Sequence, residues 1–270
     1  MLKIHHLNAA TMCPIGGPLV TTGFSLEAEF VSHCLVIETN DGLVLVDTGL
    51  GTEDCLKPES RFSLIFRLLL QPKFDIEETL LYQVKKLGFS VSDVRHIIPT
   101  HLDLDHAGGL PDFPHAKVHI FKPEVNAALN PAGFFEKHRY IPQHFRHKPD
   151  FQLYENTGER FKGFECIRSL EGISDEILLI PLVGHTRGHC AVAIESEQGT
   201  LIHCGDAYFH HSEVSVKNEC PPGIDFFQTL VAADNESRIK NQKRLKALNH
   251  NSSDVTLFCA HDKSELLKLQ

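Results

Sequence analysis

Two short apolar runs, Cys34-Leu-Val-Ile-Glu38 and Leu43-Val-Leu-Val-Asp47, flank Asn40-Asp41-Gly42. The pattern predicts a β-hairpin, because this turn composition tolerates the positive φ that a tight connection needs. Further along, Asp75-Ile-Glu-Glu78 matches a capping box with Asp in the capping place. Leu80, Leu81, Val84 and Leu87 then share one helical face, and Gly88 supplies the stop. His96-Ile-Ile-Pro99 reads as a short buried strand. Further strands are expected at 117–121, 177–182, 191–195, 200–204 and 255–259, and helices at 123–129 and 235–248. Strands in both halves, with helices between and after them, predict two packed sheets covered by helices.

Two stretches resist this reading. Residues 130–165 hold Pro, Phe, His and Lys in no clear period and read as an insertion or long loop. The apolar segment 59–70 reads as a helix packed on the core, with a substrate lid or a subunit contact as the alternatives. With no repeat or long linker, residues 1–270 are expected to form one domain, its substrate-shaping insertions near 50–74 and 130–165.

Composition narrows the partners. A net charge of −9 offers no general field for phosphate backbones, which argues against nucleic acid as the main partner. None of the eight cysteines forms a C-x-x-C pair, and Cys34, Cys190, Cys204 and Cys259 lie in apolar runs. They read as reduced, buried thiols of a cytoplasmic protein. No secretory signal is evident, and the apolar run 62–70 is too short to span a bilayer. The 18 histidines decide nothing by number alone.

Position is more informative. His101-Leu-Asp103-Leu-Asp105-His106 directly follows a predicted buried strand. In extended chain, residues two apart face the same side, so His101 and Asp103 can address one metal. Asp105 and His106 follow where the chain would turn into a helix and can reach a second position. Gly108-Gly109 permits a close approach or sharp turn. His189, Asp206 and His261 each come at the end of a predicted strand, where a rigid scaffold can converge ligands.

This series resembles the metallo-β-lactamase superfamily, from about Cys34 to Asp262, and is nearest to its N-acyl homoserine lactonase branch. The resemblance implies an αββα sandwich, an α/β fold of two mixed sheets flanked by helices. It also implies two divalent metal ions, zinc by family. His101, Asp103 and His189 would hold one metal; Asp105, His106 and His261 would hold the other; Asp206 would bridge. Asp47, in Leu45-Val-Asp-Thr-Gly49, would orient ligands from behind. His185, in Gly184-His-Thr-Arg-Gly-His189, is expected to steady the turn rather than ligate. His210 and His211 are placed either in the pocket or on the surface. His5, His6, His138, His144 and His147 show no ligand spacing, although the last three lie in the region expected to face substrate.

Two positions depart from the family pattern. Residue 103 is Asp where the pattern has His; the extra carboxylate lowers the charge of the site and tilts it toward iron, manganese or cobalt. The lactonase-like branch often has a Tyr three residues after the bridging Asp, a place held here by Phe209, with Tyr208 one step earlier. The expected reaction is attack of a metal-bridging hydroxide on a lactone or small carboxylic ester, with Asp105 and Asp206 in the catalytic machinery. The alternatives are a phosphoester, phosphotriester or thioester substrate, iron-dependent oxidation of a sulfur compound, or a metal-binding protein without activity. The expected partner is a small molecule, with neither nucleic acid nor membrane; a dimer is left open.

Overall fold

A computed structural model describes residues 2–15, 28–155, 158–197, 199–216 and 220–270. Its strands are β1 (Lys3–Met12), β2 (Phe30–Thr39), β3 (Gly42–Val46), β4 (Val94–Ile98), β5 (Lys117–Phe121), β6 (Asp150–Tyr154), β7 (Glu159–Phe161), β8 (Phe164–Cys166), β9 (Ile177–Pro181), β10 (Cys190–Ser196), β11 (Gly199–His203) and β12 (Val255–Phe258). Strands β1 to β6 form one sheet in sequence order, antiparallel through β3 and parallel from β3 onward. The second sheet runs β12-β11-β10-β9, with only the β11–β12 pair parallel. β7 and β8 make a separate hairpin.

Side-chain alternation assembles these sheets into layers. In β2, Leu35 and Ile37 point into a cluster shared with Leu179, Val192 and Phe258 of the second sheet. Cys34 and Val36 point the other way, toward Leu80, Val84 and Val125 of the helices Leu80–Lys86 and Lys122–Leu129. Both faces are apolar because both are covered, so these strands read as unbroken hydrophobic runs. The second sheet repeats the scheme, packing Ile202 and Leu257 against Leu245 and Leu248 of the helix Asn235–Asn251. Helix, sheet, sheet, helix is the resulting order, the αββα sandwich of the expectation.

The 34–47 hairpin forms with Thr39 paired to Gly42, whose φ is +126°. A side chain there would meet Asp93 O at 2.6 Å. At residue 75 the structure departs from the pattern. Asp75 caps only a single 3₁₀ turn, Ile76–Glu78, and the helix proper starts after Thr79, whose hydroxyl accepts from Tyr82 N at 3.3 Å. A second capping side chain four residues later breaks what the sequence presents as one helix.

The 130–165 stretch is not a long loop. It contains the helix Gly133–Arg139, a 3₁₀ turn at Pro142–Phe145, and β6, which extends the first sheet; β7 and part of β8 complete it. Edge position explains the weak pattern, since β6 is half exposed along its length. The 59–70 segment is likewise corrected. It is two short helices, Pro58–Arg61 and Leu64–Leu70, parted where Ser63 caps the second. Phe62 is buried with Leu50 and Leu104, while Leu64, Ile65, Leu68 and Leu69 are each more than half exposed.

The last helix, Lys263–Leu269, carries a buried carboxyl that secures the end of β12. Glu265 accepts from Cys259 N at 2.8 Å and from the Tyr208 hydroxyl at 3.1 Å. Burial, with Asp262 nearby, pushes its pKa from 4.5 up to about 8 against these donors. Between those values the folded chain holds the proton and the unfolded chain does not, so stability falls as pH rises through this window and levels off above it. Glu265→Gln is therefore expected to raise the melting temperature relative to wild type by an amount that grows from pH 5 to pH 8, reaching several degrees. Thermal unfolding at fixed metal content checks this; a pH-independent difference contradicts it.

Candidate metal centre

The expected donors sit at the C-terminal ends of strands from both sheets. His101 follows β4; Asp103 precedes the short buried helix Leu104–Ala107, which carries Asp105 and His106. Asp206 follows β11 and His261 follows β12. Cross-links pin these ends together. Thr48 N donates to His106 O at 2.8 Å, Cys190 N to Thr100 O at 2.9 Å, and Cys204 N to Phe258 O at 2.8 Å. Gly205, at φ +52°, lets the chain turn into Asp206; a side chain there would lie 2.6 Å from the His189 ring.

The structure brings six of the seven expected residues together, namely His101, Asp103, Asp105, His106, Asp206 and His261, and leaves out His189. Asp206 is the hub. Its Oδ1 lies 3.2 Å from His106 Nε2 and 3.1 Å from His261 Nε2. Its Oδ2 lies 3.3 Å from His185 Nε2 and 3.8 Å from His101 Nε2. Asp103 Oδ2 is 3.1 Å from His185 and 3.5 Å from His101. Asp105 Oδ2 is 3.7 Å from His261 and 3.9 Å from His106.

The seventh residue is exchanged. His189 Nδ1 donates to Leu182 O at 3.1 Å, and its Nε2 accepts from Asp206 N at 2.9 Å. Nδ1 carries the proton and the Nε2 lone pair is taken by the Asp206 amide, so no lone pair faces the cluster. His185, four residues earlier in the loop, points Nε2 into it instead. Donor atoms of His101, His185 and Asp206 lie within 4.8 Å of one another, and so do those of Asp105, His106 and His261. The signal lay in the strand boundary: His189 abuts β10, whereas His185 stands in the loop between β9 and β10.

Three rings are held from behind, which sets their tautomers. His106 Nδ1 donates to Asp47 Oδ2 at 2.8 Å and His261 Nδ1 to Val31 O at 2.8 Å. His101 Nδ1 donates to Thr100 Oγ1 at 2.9 Å, and that hydroxyl donates onward to Asp47. Asp47 also accepts from Thr100 N at 2.6 Å and adopts φ +57°, a region Asp tolerates better than most residues. Its expected supporting place is what the geometry shows.

Sequence reasoning missed two residues. Glu124 is fully buried and accepts from Leu102 N at 2.9 Å, Tyr140 Oη at 3.2 Å, Thr186 Oγ1 at 2.6 Å and Gly188 N at 3.0 Å. It ties the 101–106 segment to the 184–189 turn. Arg139 stands beside Asp103, with Nη1 at 3.6 Å from Oδ2. Neither has a sequence signal, because each acts across the fold from a helix of ordinary composition.

The field in the cluster seeks positive charge. Burial opposes ionisation of Asp206, yet His261, His106, His185 and His101 hold its carboxyl well below the ordinary value. Against the same burial, Asp206 and its fellow carboxylates raise His106 well above the ordinary imidazole range, and they raise His261 too. His101 Nε2, His106 Nε2, Asp103 Oδ1 and Asp206 Oδ1 are buried and make no hydrogen bond among the described residues. Inward-facing imidazole and carboxylate lone pairs at this spacing fit divalent metal ions.

Above the donors opens a cleft of about 210 Å³. Met12, Phe30, Phe66, Leu70, Phe209, Phe227 and Val231 supply apolar walls, and His138 and Arg139 reach its rim. Tyr208 is wholly buried and turned to Glu265, while Phe209 faces the cleft. Of the remaining histidines, His144 is sealed against Asp54 at 3.0 Å and His5 pairs with Glu38 at 2.7 Å. His210, His211 and Asp262 gather beside the cleft, but His210 Nδ1 accepts from Ser212 N at 3.2 Å and His211 Nδ1 is bound to Asp262 at 2.7 Å.

Buried imidazoles and carboxylates at the strand ends of an αββα sandwich define a metal-dependent hydrolase. The sequence profile of the metallo-β-lactamase superfamily matches residues 28–251, and the chain belongs to that superfamily. A probable metallo-hydrolase of Mycobacterium tuberculosis is 37% identical over 262 residues, 97% of this chain and 80% of that protein. An N-acyl homoserine lactonase of Bacillus thuringiensis is 26% identical over 231 residues, 85% of this chain and 80% of that one. A solved N-acyl homoserine lactone hydrolase, with N-hexanoyl-L-homoserine bound at its catalytic metal center, superposes with TM-score 0.75. Its identity is 22%, over 99% of this chain and 96% of the other. No helix among the described residues is long and apolar enough to cross a membrane.

The exchange of His185 for His189 is open to a direct check. His185→Ala, which removes a donor from the set it shares with His101 and Asp206, is expected to lower the bound metal content. His189→Ala is expected to keep the wild-type content, with affinity lowered by about 10–100-fold as for other supporting residues. Metal quantification after dialysis reads the difference, and the opposite ranking contradicts the placement.

Proposed function

We propose that the protein hydrolyses a lactone or small carboxylic ester whose acyl arm is apolar. The observation that carries this reading is the cleft itself, with metal donors on its floor and Met12, Phe66, Leu70, Phe227 and Val231 on its walls. The 26% identity to an N-acyl homoserine lactonase supports the same bond, since such a molecule joins a polar ring to a hydrocarbon chain.

In this reading His101, Asp103, His185 and Asp206 would hold one divalent ion, and Asp105, His106, His261 and Asp206 would hold the second. The ion pair supplies Lewis acidity and an activated water when bound. Asp206, with Oδ1 toward His106 and His261 and Oδ2 toward His185 and His101, would belong to both donor sets. Asp105, whose side chain lines the cleft, is placed to take the proton of the attacking water. Tyr208 gives its hydroxyl to Glu265, so no phenol from this turn assists the carbonyl; Phe209 instead adds to the apolar wall. Four imidazoles and three carboxylates suit zinc, with iron, manganese and cobalt as competitors of similar fit. The buried thiols Cys34, Cys190, Cys204 and Cys259, all pushed well above the ordinary pKa by burial, suit a reducing cytoplasm.

Turnover of acyl-homoserine lactones and aryl esters is expected to vanish with chelator and return with metal. Along an acyl series, KM is expected to fall by up to about fourfold per added methylene until the cleft is filled, the value of burying one CH₂. The measurement is steady-state kinetics on a lactone, ester, phosphotriester and thioester panel after anaerobic metal quantification. A preference for phosphotriesters or thioesters, or no dependence on acyl length, overturns the reading.

A further inference from the structure

Asp103 adds a carboxylate where the superfamily pattern carries a neutral imidazole, and thereby removes one unit of positive charge from the cluster. The fold sets a cation against it. Arg139 ends the helix Gly133–Arg139 and lies beside the cleft, with Nη1 3.6 Å from Asp103 Oδ2. Both side chains belong to residues only 8% exposed, where charge interactions are strong and an unpaired charge is costly. Among the described residues Asp103 is the only ion-pair partner of Arg139.

The manner of attachment matters as much as the proximity. The guanidinium is held by neutral groups, Nη1 donating to His185 O at 3.0 Å and Nη2 to Val231 O. At 3.6 Å it contributes charge without a hydrogen bond to the carboxylate, so it consumes no lone pair of Asp103. Asp103 Oδ1 makes no hydrogen bond among the described residues, and Oδ2, the oxygen nearest Arg139, also lies 3.1 Å from His185 Nε2 and 3.5 Å from His101 Nε2. The bond of Arg139 to the His185 carbonyl also places it on the turn that presents another inward-facing ring.

We propose that Asp103 and Arg139 form a charge-balanced unit that replaces a neutral histidine at the metal centre, the carboxylate serving as donor and the guanidinium cancelling its charge. The unit restores the net charge that the carboxylate alone would remove. This rests on the reading that the cluster holds divalent metal ions. Arg139 is a charge-balancing residue and need not touch substrate.

The test is zinc affinity, read by competition with a chromophoric chelator, in wild type, Arg139→Met, Arg139→Lys, Asp103→His and the Asp103→His/Arg139→Met pair. Removing the cation makes the site more negative, so Arg139→Met is expected to bind zinc at least about tenfold more tightly than wild type. Arg139→Lys, which keeps the charge, is expected to stay within about threefold of wild type by the same reasoning. Asp103→His leaves the cation unopposed and is expected to bind zinc at least about tenfold more weakly, although histidine is itself a good zinc ligand. The double variant is expected to return toward wild type.

A purely structural Arg139 would give the opposite sign, because loosening the His185 turn weakens zinc binding. Weaker or unchanged binding in Arg139→Met overturns the proposal. If that variant fails to fold, Asp103→His alone decides, and equal or tighter zinc binding in it overturns the proposal. Failure of the wild type to take up metal sinks the metal-centre reading and this inference with it. Wild type with two equivalents but the wrong signs in the variants sinks this inference only.

Discussion

Buried carboxylates and imidazoles that face one another are tolerable only when positive charge lies among them. That constraint organises the whole cleft. Asp206 sits among four inward-facing rings, with Asp103 beside His185 and His101 and Asp105 beside His261 and His106. Hydrogen bonds from behind fix three of the rings through Nδ1, so Nε2 is the nitrogen each presents. The carboxylates raise His106 and His261, and Asp206 and Asp103 are themselves held low. Such a set takes either protons or metal ions, and the superfamily to which the chain belongs takes metal ions.

The two-sheet sandwich exists, in functional terms, to bring the ends of β4, β9, β11 and β12 to one place. No single element could supply these donors, since β4 lies in one sheet and the other three strands in the second. Precision comes from the cross-ties. Asp47 couples His106 to the backbone of Thr100, Glu124 couples the 101–106 segment to the 184–189 turn, and Glu265 couples the end of β12 to the helix that follows. Each is a buried carboxyl group meeting donors from separate elements, so deleting the side chain of any one strands several polar groups at once. The cleft walls draw on short helices outside the two sheets, Leu64–Leu70, Gly133–Arg139 and Pro222–Val231.

Much of this was legible in the sequence, for physical reasons that differ from residue to residue. The compact His101–His106 run announces itself because its donors are local. Strands covered on both faces announce themselves as apolar runs, and β2, β3, β4 and β11 appear within a few residues of their expected places. β1 and β6 do not, being edge strands with half-exposed or polar faces. His185 and His189 were interchanged because spacing alone cannot tell which of two nearby rings turns inward; only the Asp206 amide and the Leu182 carbonyl decide that. Asp103 showed as a departure, but its compensation by Arg139 lies thirty-six positions away in a segment without period. Pairings across a fold have no signature in one chain read alone.

Similarity to solved lactonases shows the fold and the sequence profile shows the superfamily, and the apolar cleft over the donor cluster carries the rest of the reading. Anomalous diffraction from crystals of the protein loaded with zinc would examine that cluster atom by atom. Two peaks are expected. One should be ringed by His101, Asp103, His185 and Asp206, and the other by Asp105, His106, His261 and Asp206, with His189 still bound to the Asp206 amide. A single peak, or a peak ligated by His189 with His185 turned away, would contradict the arrangement described here.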